Sequence, residues 1–230
     1  MPIELDPAAL GMRERLSHAD FLANARASAP AGFRMRTHAE FEGTRERILS
    51  SHRTGDPLHV FAYGSLMWNP ALEHDGQFKA RIHGWHRSFC IRNFVGRGTP
   101  ECPGLMLALD KGGSCNGVLL RIPASKVSQE AAILWRREMT WGTYEARWVT
   151  AWVDSAPVPA LVFVVDRRHE RYVGKLSLQE TARLINCGRG VLGTCSEYFD
   201  ATVRKLRELG IRDAAMERLH EVVGHVRASS

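Results

Sequence analysis

Residues 59–70 read HVFAYGSLMWNP (His59–Pro70). Leu58–Tyr63 is apolar enough for a buried strand. It runs into Tyr63-Gly64-Ser65-Leu66 instead of an ordinary polar turn. Glycine lets the backbone turn sharply with no side chain in the way. The amides of Ser65 and Leu66 can then point together into open space, where paired amides form a small anion-binding nest. The Ser65 hydroxyl adds a donor. Taken alone, the same four residues also read as a plain strand end and tight turn.

Downstream, Phe78–Asn93 contains two strand-like runs, Ala80–His83 and Arg87–Ile91, on either side of a turn at Gly84-Trp85. Gly104–Leu109 and Gly117–Ile122 are joined by Lys111-Gly112-Gly113-Ser114, a hairpin or tight-loop signal. Ser125–Thr140 reads as a helix with Ser128 as its N-cap. Arg147–Val153 and Pro159–Val165 read as strands around the turn Asp154–Pro157. Three helices follow. Ser177–Asn186 opens on the capping box Ser177-Leu178-Gln179-Glu180, Thr194–Leu209 is stopped by Gly210, and Asp213–Val226 is the last. Upstream, residues 1–56 read as an N-terminal helical extension. Loose helical periodicity covers Ala8–Ala25 and His38–Leu49, which are separated by Pro30 and Gly32, and Thr54-Gly55-Asp56-Pro57 breaks the chain. Strands dominate the first two thirds of the main domain (57–226) and helices its end, without the alternation of a doubly wound sheet. The expected class is α+β, with a curled sheet or small barrel.

The chain has 230 residues, 44% hydrophobic and 24% charged, the composition of an ordinary globular protein. Its longest apolar runs, such as Ala160–Val165, are too short to span a bilayer, which needs about 20 residues. The start, MPIELDPAALGMRERL, carries Glu4 and Asp6 and does not look like a leader, so a cytoplasmic location is expected. The net charge of +6 favours anionic partners. Acidic residues interrupt the basic ones nearly everywhere, as in Arg34–Arg47 and Arg204–Arg218. A small anionic substrate is therefore expected, and no nucleic-acid or membrane partner. The oligomeric state is not legible.

Four patterns are set aside. The five cysteines (Cys90, Cys102, Cys115, Cys187 and Cys195) are scattered with no C-x-x-C pair, so free thiols are expected and no zinc site. Gly188-Arg189-Gly190-Val191-Leu192-Gly193 matches G-x-G-x-x-G but follows a helix and not a strand. It reads as a link between helices, with Gly188 or Gly190 as C-cap and a role in lining a pocket left open. His83 and His86, three apart on strands, would face opposite ways, which is poor ligand geometry. Ser65 lacks the second glycine of a G-x-S-x-G nucleophile elbow. Neither a metal nor a cofactor is expected.

The second chemical stretch is Trp135-Arg136-Arg137-Glu138-Met139-Thr140-Trp141-Gly142-Thr143-Tyr144. Glu138 lies near the end of an apolar-faced helix. A carboxylate among aromatic and thioether side chains loses solvation, which raises its pKa toward the range useful for proton transfer. A solvated Glu paired with Arg is the alternative reading.

Together with GWHRSFCIRNFVGRGTPECPGLMLALDKGG and GRGVLGTCSEYF, followed by GIRD, these stretches resemble the ChaC-type gamma-glutamylcyclotransferases, which cleave glutathione. The resemblance runs from about Leu58 to Val223. It implies a small mixed β-barrel flanked by helices and a single catalytic glutamate, here Glu138. It also implies a Tyr63-Gly64-Ser65-Leu66 loop that holds the γ-glutamyl moiety, and a pocket tyrosine at Tyr198. Tyr144 and Arg87 are further pocket residues by this resemblance. The implied reaction releases 5-oxoproline and cysteinylglycine by intramolecular attack of the γ-glutamyl amine. A cyclotransferase for another γ-glutamyl amide or amine would use the same core residues. A non-catalytic ligand-binding member of the fold is the alternative from a different class.

Overall fold

The computed structural model describes residues 5–27, 29 and 33–228; Pro30 and Gly32, expected to separate the first helices, lie outside the described residues. Strand β1 (Leu58–Ala62) is the apolar run read above. It pairs antiparallel with β3 (Gly104–Ile122), from Leu58↔Ile122 to Ala62↔Val118. On its other edge it pairs parallel with β5 (Ala156–Val165) at Val60↔Leu161. Strand β3 pairs with β2 (Gly76–Asn93), β2 meets β4 (Tyr144–Val153) at Ile82↔Ala151, and β4 pairs with β5. The five close into a barrel in the order β1-β3-β2-β4-β5, mixed because of its one parallel seam. The α+β barrel class expected from sequence is the class observed.

Two expected pairs of short strands are instead single long strands. Gly84 does not turn the chain. It sits at a register shift between His83 and Trp85 with φ of 81°, opposite Gly112 and Gly113 at 104° and 68°. These glycines bend a continuous ladder, as bulges do where a sheet must curl far enough to close. The real reversal between β4 and β5 is made by Asp154 and Ser155, both at positive φ (46° and 70°), the backbone of a two-residue hairpin turn.

Helix α4 (Val127–Glu138) follows a short 3-10 turn, Ala124–Lys126. Its N-cap position is Lys126, without a side-chain cap, so Ser128 lies inside the helix and does not cap it. Helix α5 (Leu178–Cys187) is capped by Ser177, whose hydroxyl accepts from the Glu180 amide at 3.1 Å; the Glu180 carboxylate pairs with Arg183, leaving the box half made. Helix α6 (Cys195–Glu208) carries a full capping box between Thr194 and Glu197. Gly210 follows it at φ 63°, and α7 (Ala214–Ala228) completes the described elements.

Upstream, the expected Ala8–Ala25 helix is two, α1 (Pro7–Ser17) and α2 (Phe21–Ala27), followed by α3 (His38–Leu49). Pro7 opens α1 behind the Asp6 cap, and the chain turns to extended backbone at His18. These helices are fastened to the barrel side. Arg13 on α1 donates twice to the fully buried Glu130 carboxylate on α4, at 2.6 and 2.7 Å. Arg136 on α4 donates to the Leu16 carbonyl at 2.8 Å, and Trp148 on β4 to the Ile48 carbonyl at 2.8 Å. Leu16 and Phe41 join a core built on Phe61, Trp135 and Phe163, the last two edge-to-face at 5.5 Å.

Cys102 and Cys187 are joined by a disulfide, 85 residues apart in sequence. This corrects the expectation of free thiols for those two residues. Their spacing hides the fact that the loop after β2 lies against the end of α5. Cys90, Cys115 and Cys195 are free and buried. Among the described residues no helix is long and apolar enough to cross a membrane.

Candidate active site

The backbone leaving β1 turns at Gly64 into a 3-10 turn, Ser65–Met67. The Gly64 and Ser65 carbonyls accept from Met67, Trp68 and Asn69, so the turn satisfies its own acceptors. The amides of Ser65 and Leu66, its first two residues, have no acceptor inside it. A Cβ at Gly64 would lie 3.4 Å from the Tyr198 hydroxyl, so glycine keeps the turn open toward that ring. Tyr63, at the base, is 7% exposed and donates to the Phe163 carbonyl at 2.8 Å, tying the turn to β5.

Glu138 ends α4 across from this turn. Both line a cavity of about 810 Å³, together with Tyr144 and Tyr198. Arg137 connects them. Its guanidinium lies 3.1 Å from the Glu138 carboxylate and donates to Ser65 Oγ at 2.9 Å and to the Asn69 carbonyl at 2.6 Å. One planar side chain thus fixes both the carboxylate and the turn. Because Ser65 Oγ accepts from Arg137, its own hydrogen is available to a ligand.

Electrostatics inside the cavity oppose one another. Burial pushes Glu138 above the ordinary carboxylate range, and the Arg137 charge and hydrogen bond only partly offset it. Burial also raises Tyr63, Tyr144 and Tyr198, which stay neutral and serve as hydrogen-bonding walls. Tyr144 donates to the Leu107 carbonyl at 2.9 Å.

The structure brings together Tyr63, Gly64, Ser65, Leu66, Glu138, Tyr144 and Tyr198, but not Arg87. Arg87 does not line the cavity, which corrects its expected place as a pocket residue. It sits on the far side of the Tyr63 backbone, donating to the Tyr63 carbonyl at 2.7 Å and the Asn116 carbonyl at 2.6 Å, and pairing with Asp213. Three acceptors consume its fork, so it braces the turn from behind. Arg87→Met is expected to lower stability by about 2 kcal/mol, read by denaturant unfolding, with a smaller effect on ligand affinity.

Sequence reasoning missed Arg137, whose role depends on which way a helix-end side chain points. It also missed the wall given by α1 and α2: Leu16 and Phe21 line the cavity. The G-x-G-x-x-G segment acts through close backbone packing. A Cβ at Gly188 would meet Gly104 Cα at 2.4 Å, and one at Gly190 the carbonyls of Val95 and Gly96 at 2.6 Å. Gly188 does follow α5 as its C-cap, but Arg189–Gly190 and Gly193–Thr194 form a two-stranded β-ribbon, β6 and β7, that presents Val191 and Leu192 to the cavity. Cys195, outside the cavity, exchanges hydrogen bonds with the Leu105 backbone. Trp141 lines the cavity.

A closed mixed barrel carrying a half-buried carboxyl opposite an amide-bearing turn defines a class of small-molecule site that comparison makes specific. The ChaC-like protein family model matches residues 58–227, and the chain belongs to that family. The glutathione-specific gamma-glutamylcyclotransferase of Escherichia coli is 42% identical over 164 residues, covering 71% of each chain. The human glutathione-specific gamma-glutamylcyclotransferase 1 is 30% identical over 152 residues, 63% of this chain and 68% of that one. The crystal structure of a yeast gamma-glutamyl cyclotransferase specific to glutathione superposes with a TM-score of 0.67 at 21% identity, covering 74% of this chain and 96% of that one, which speaks for the shared fold.

Proposed function

We propose that this chain is a gamma-glutamylcyclotransferase that cleaves glutathione to 5-oxoproline and cysteinylglycine. The observation that carries the reading is the Glu138 carboxyl facing the Tyr63–Leu66 turn in one cavity, both held by Arg137. Family membership and the glutathione-specific relatives support it. The chemistry falls to residues 57–226, while residues 1–56 supply part of the cavity wall.

The reaction is a ring closure. Glu138 takes a proton from the α-ammonium of the γ-glutamyl group. The freed nitrogen attacks the γ-carbonyl carbon, and a tetrahedral centre forms with its negative oxygen toward the Ser65 and Leu66 amides. Glu138 returns the proton to the cysteinyl nitrogen, the bond from that nitrogen to the γ-carbon breaks, and the ring nitrogen gives up its second proton to the departing amine. Both nitrogens sit on the same reacting carbon, so one carboxylate reaches both. Nucleophile and electrophile share one molecule, and correct folding of the substrate is worth about 7–11 kcal/mol of barrier.

The direct test is purified protein with glutathione, scored for 5-oxoproline and cysteinylglycine. A panel of other γ-glutamyl amides separates this substrate from its relatives, and ligand binding without turnover would indicate a binding protein instead. The raised Glu138 also sets a pH limb. The base must be ionised, so kcat is expected to fall as pH drops through a pKa above the ordinary value of 4.5. A kcat profile flat from pH 8 to below 4.5 would contradict this.

A further inference from the structure

The turn and Glu138 account for the γ-glutamyl end of the substrate, leaving the opposite end of the leaving dipeptide without a receptor. Two arginines in the same cavity stand out. Arg171, 8% exposed, donates through Nε to the Arg92 carbonyl at 2.8 Å, and the Phe33 ring lies 5.7 Å from its guanidinium carbon. Both of its Nη groups, the pair that grips a carboxylate, have no acceptor among the described residues. Arg97 donates through Nη1 to the Thr194 carbonyl at 2.8 Å and stacks over the Tyr198 ring at 5.4 Å. Its Nε–Nη2 edge is likewise open. Among the described residues neither arginine has a carboxylate at ion-pairing distance.

Other buried or half-buried arginines of this fold are consumed by protein acceptors: Arg13 by Glu130, Arg87 by Asp213 and two carbonyls, Arg137 by Glu138 and the turn. A guanidinium taken from water without a counter-ion is unfavourable unless an anion arrives to pair with it. Burial depresses the pKa of both Arg97 and Arg171, in keeping with that incomplete pairing. Ring stacking on Phe33 and Tyr198 holds each fork without occupying its edges.

We propose that Arg97 and Arg171 form the receptor for the terminal carboxylate of the leaving dipeptide, making a distal carboxylate a specificity requirement of this site. The inference rests on the proposed reaction. It also assigns work to the upstream segment, because Phe33, which lies outside the span matched by the family model, orients Arg171.

The test compares glutathione with its C-terminal glycinamide, which differs only in that charge. Wild-type protein, Arg97→Met, Arg171→Met, the double methionine variant and the double lysine variant are each measured. Binding is read by calorimetry and turnover by 5-oxoproline release. Wild type is expected to prefer glutathione about 100-fold, mostly in KM, as charge-assisted bidentate pairs do. The double methionine variant should handle both compounds nearly equally. Should that variant fold poorly, the lysine pair, which keeps charge but not the fork, should retain only part of the preference. Equal use of both compounds by wild type would overturn the receptor. So would a preference surviving intact in the double variants, or an equal loss on both compounds. Preferential binding of glutathione without 5-oxoproline release would instead count against the reaction and leave the receptor standing.

Discussion

Glu138→Gln is expected to release 5-oxoproline from glutathione about 10²–10⁴-fold more slowly than wild type while still binding the tripeptide. The amide preserves size and can still receive the Arg137 hydrogen bond through its oxygen, so the link to Ser65 should persist. It cannot accept the ammonium proton. The loss should therefore lie in kcat, with the dissociation constant for glutathione changed far less. Calorimetry beside a single-turnover assay separates the two quantities. The acid limb of the pH profile should vanish from the residual activity, because the group that titrates is gone. A variant that turns over at the wild-type rate would remove Glu138 from the chemistry altogether.

Arg13→Ala is expected to lower stability by about 3–5 kcal/mol, the usual consequence of leaving a buried carboxylate without its partner. Glu130 is fully buried, and its carboxylate also accepts from the Glu73 amide at 3.0 Å. In a chain of this length that corresponds to a fall of about 10 °C in melting temperature. The double variant Arg13→Met with Glu130→Leu should recover much of the loss, since an apolar pair of similar bulk needs no charge compensation. Because α1 also lines the cavity, the single variant should raise KM as well. Unchanged unfolding in Arg13→Ala would mean that α1 is not clamped to α4 in solution.

The parts of this molecule that could be read from sequence are those set by local chemistry. The apolar run into Tyr63 and Gly64 identifies β1 and its turn, and the Ser177 and Thr194 caps locate α5 and α6 within a residue. Gly84 and Gly112-Gly113 misled, because a glycine that bends a strand has the same local signature as one that ends it; only barrel closure distinguishes the two. The four loop residues and Glu138 could be singled out because each sits in an unusual neighbourhood along the chain. Arg87 and Arg137 could not be sorted from one another. Both are arginines beside aromatic residues, and their roles follow from which face of a strand or helix meets the cavity. The Cys102–Cys187 contact and the wall given by Leu16 and Phe21 depend on elements far apart in sequence.

The parallel seam between Val60 and Leu161 has a consequence for how the molecule comes into being. The turn that would hold the substrate is made early, near residue 65, yet the tether beneath it, from Tyr63 to Phe163, waits for about a hundred further residues to leave the ribosome. Such distant pairings form late, since a long stretch of chain must first be brought together. A nascent polypeptide halted before β5 therefore carries its glutamate and its loop but lacks the Phe163 and Tyr198 walls around them, and it should release no 5-oxoproline until those residues are in place.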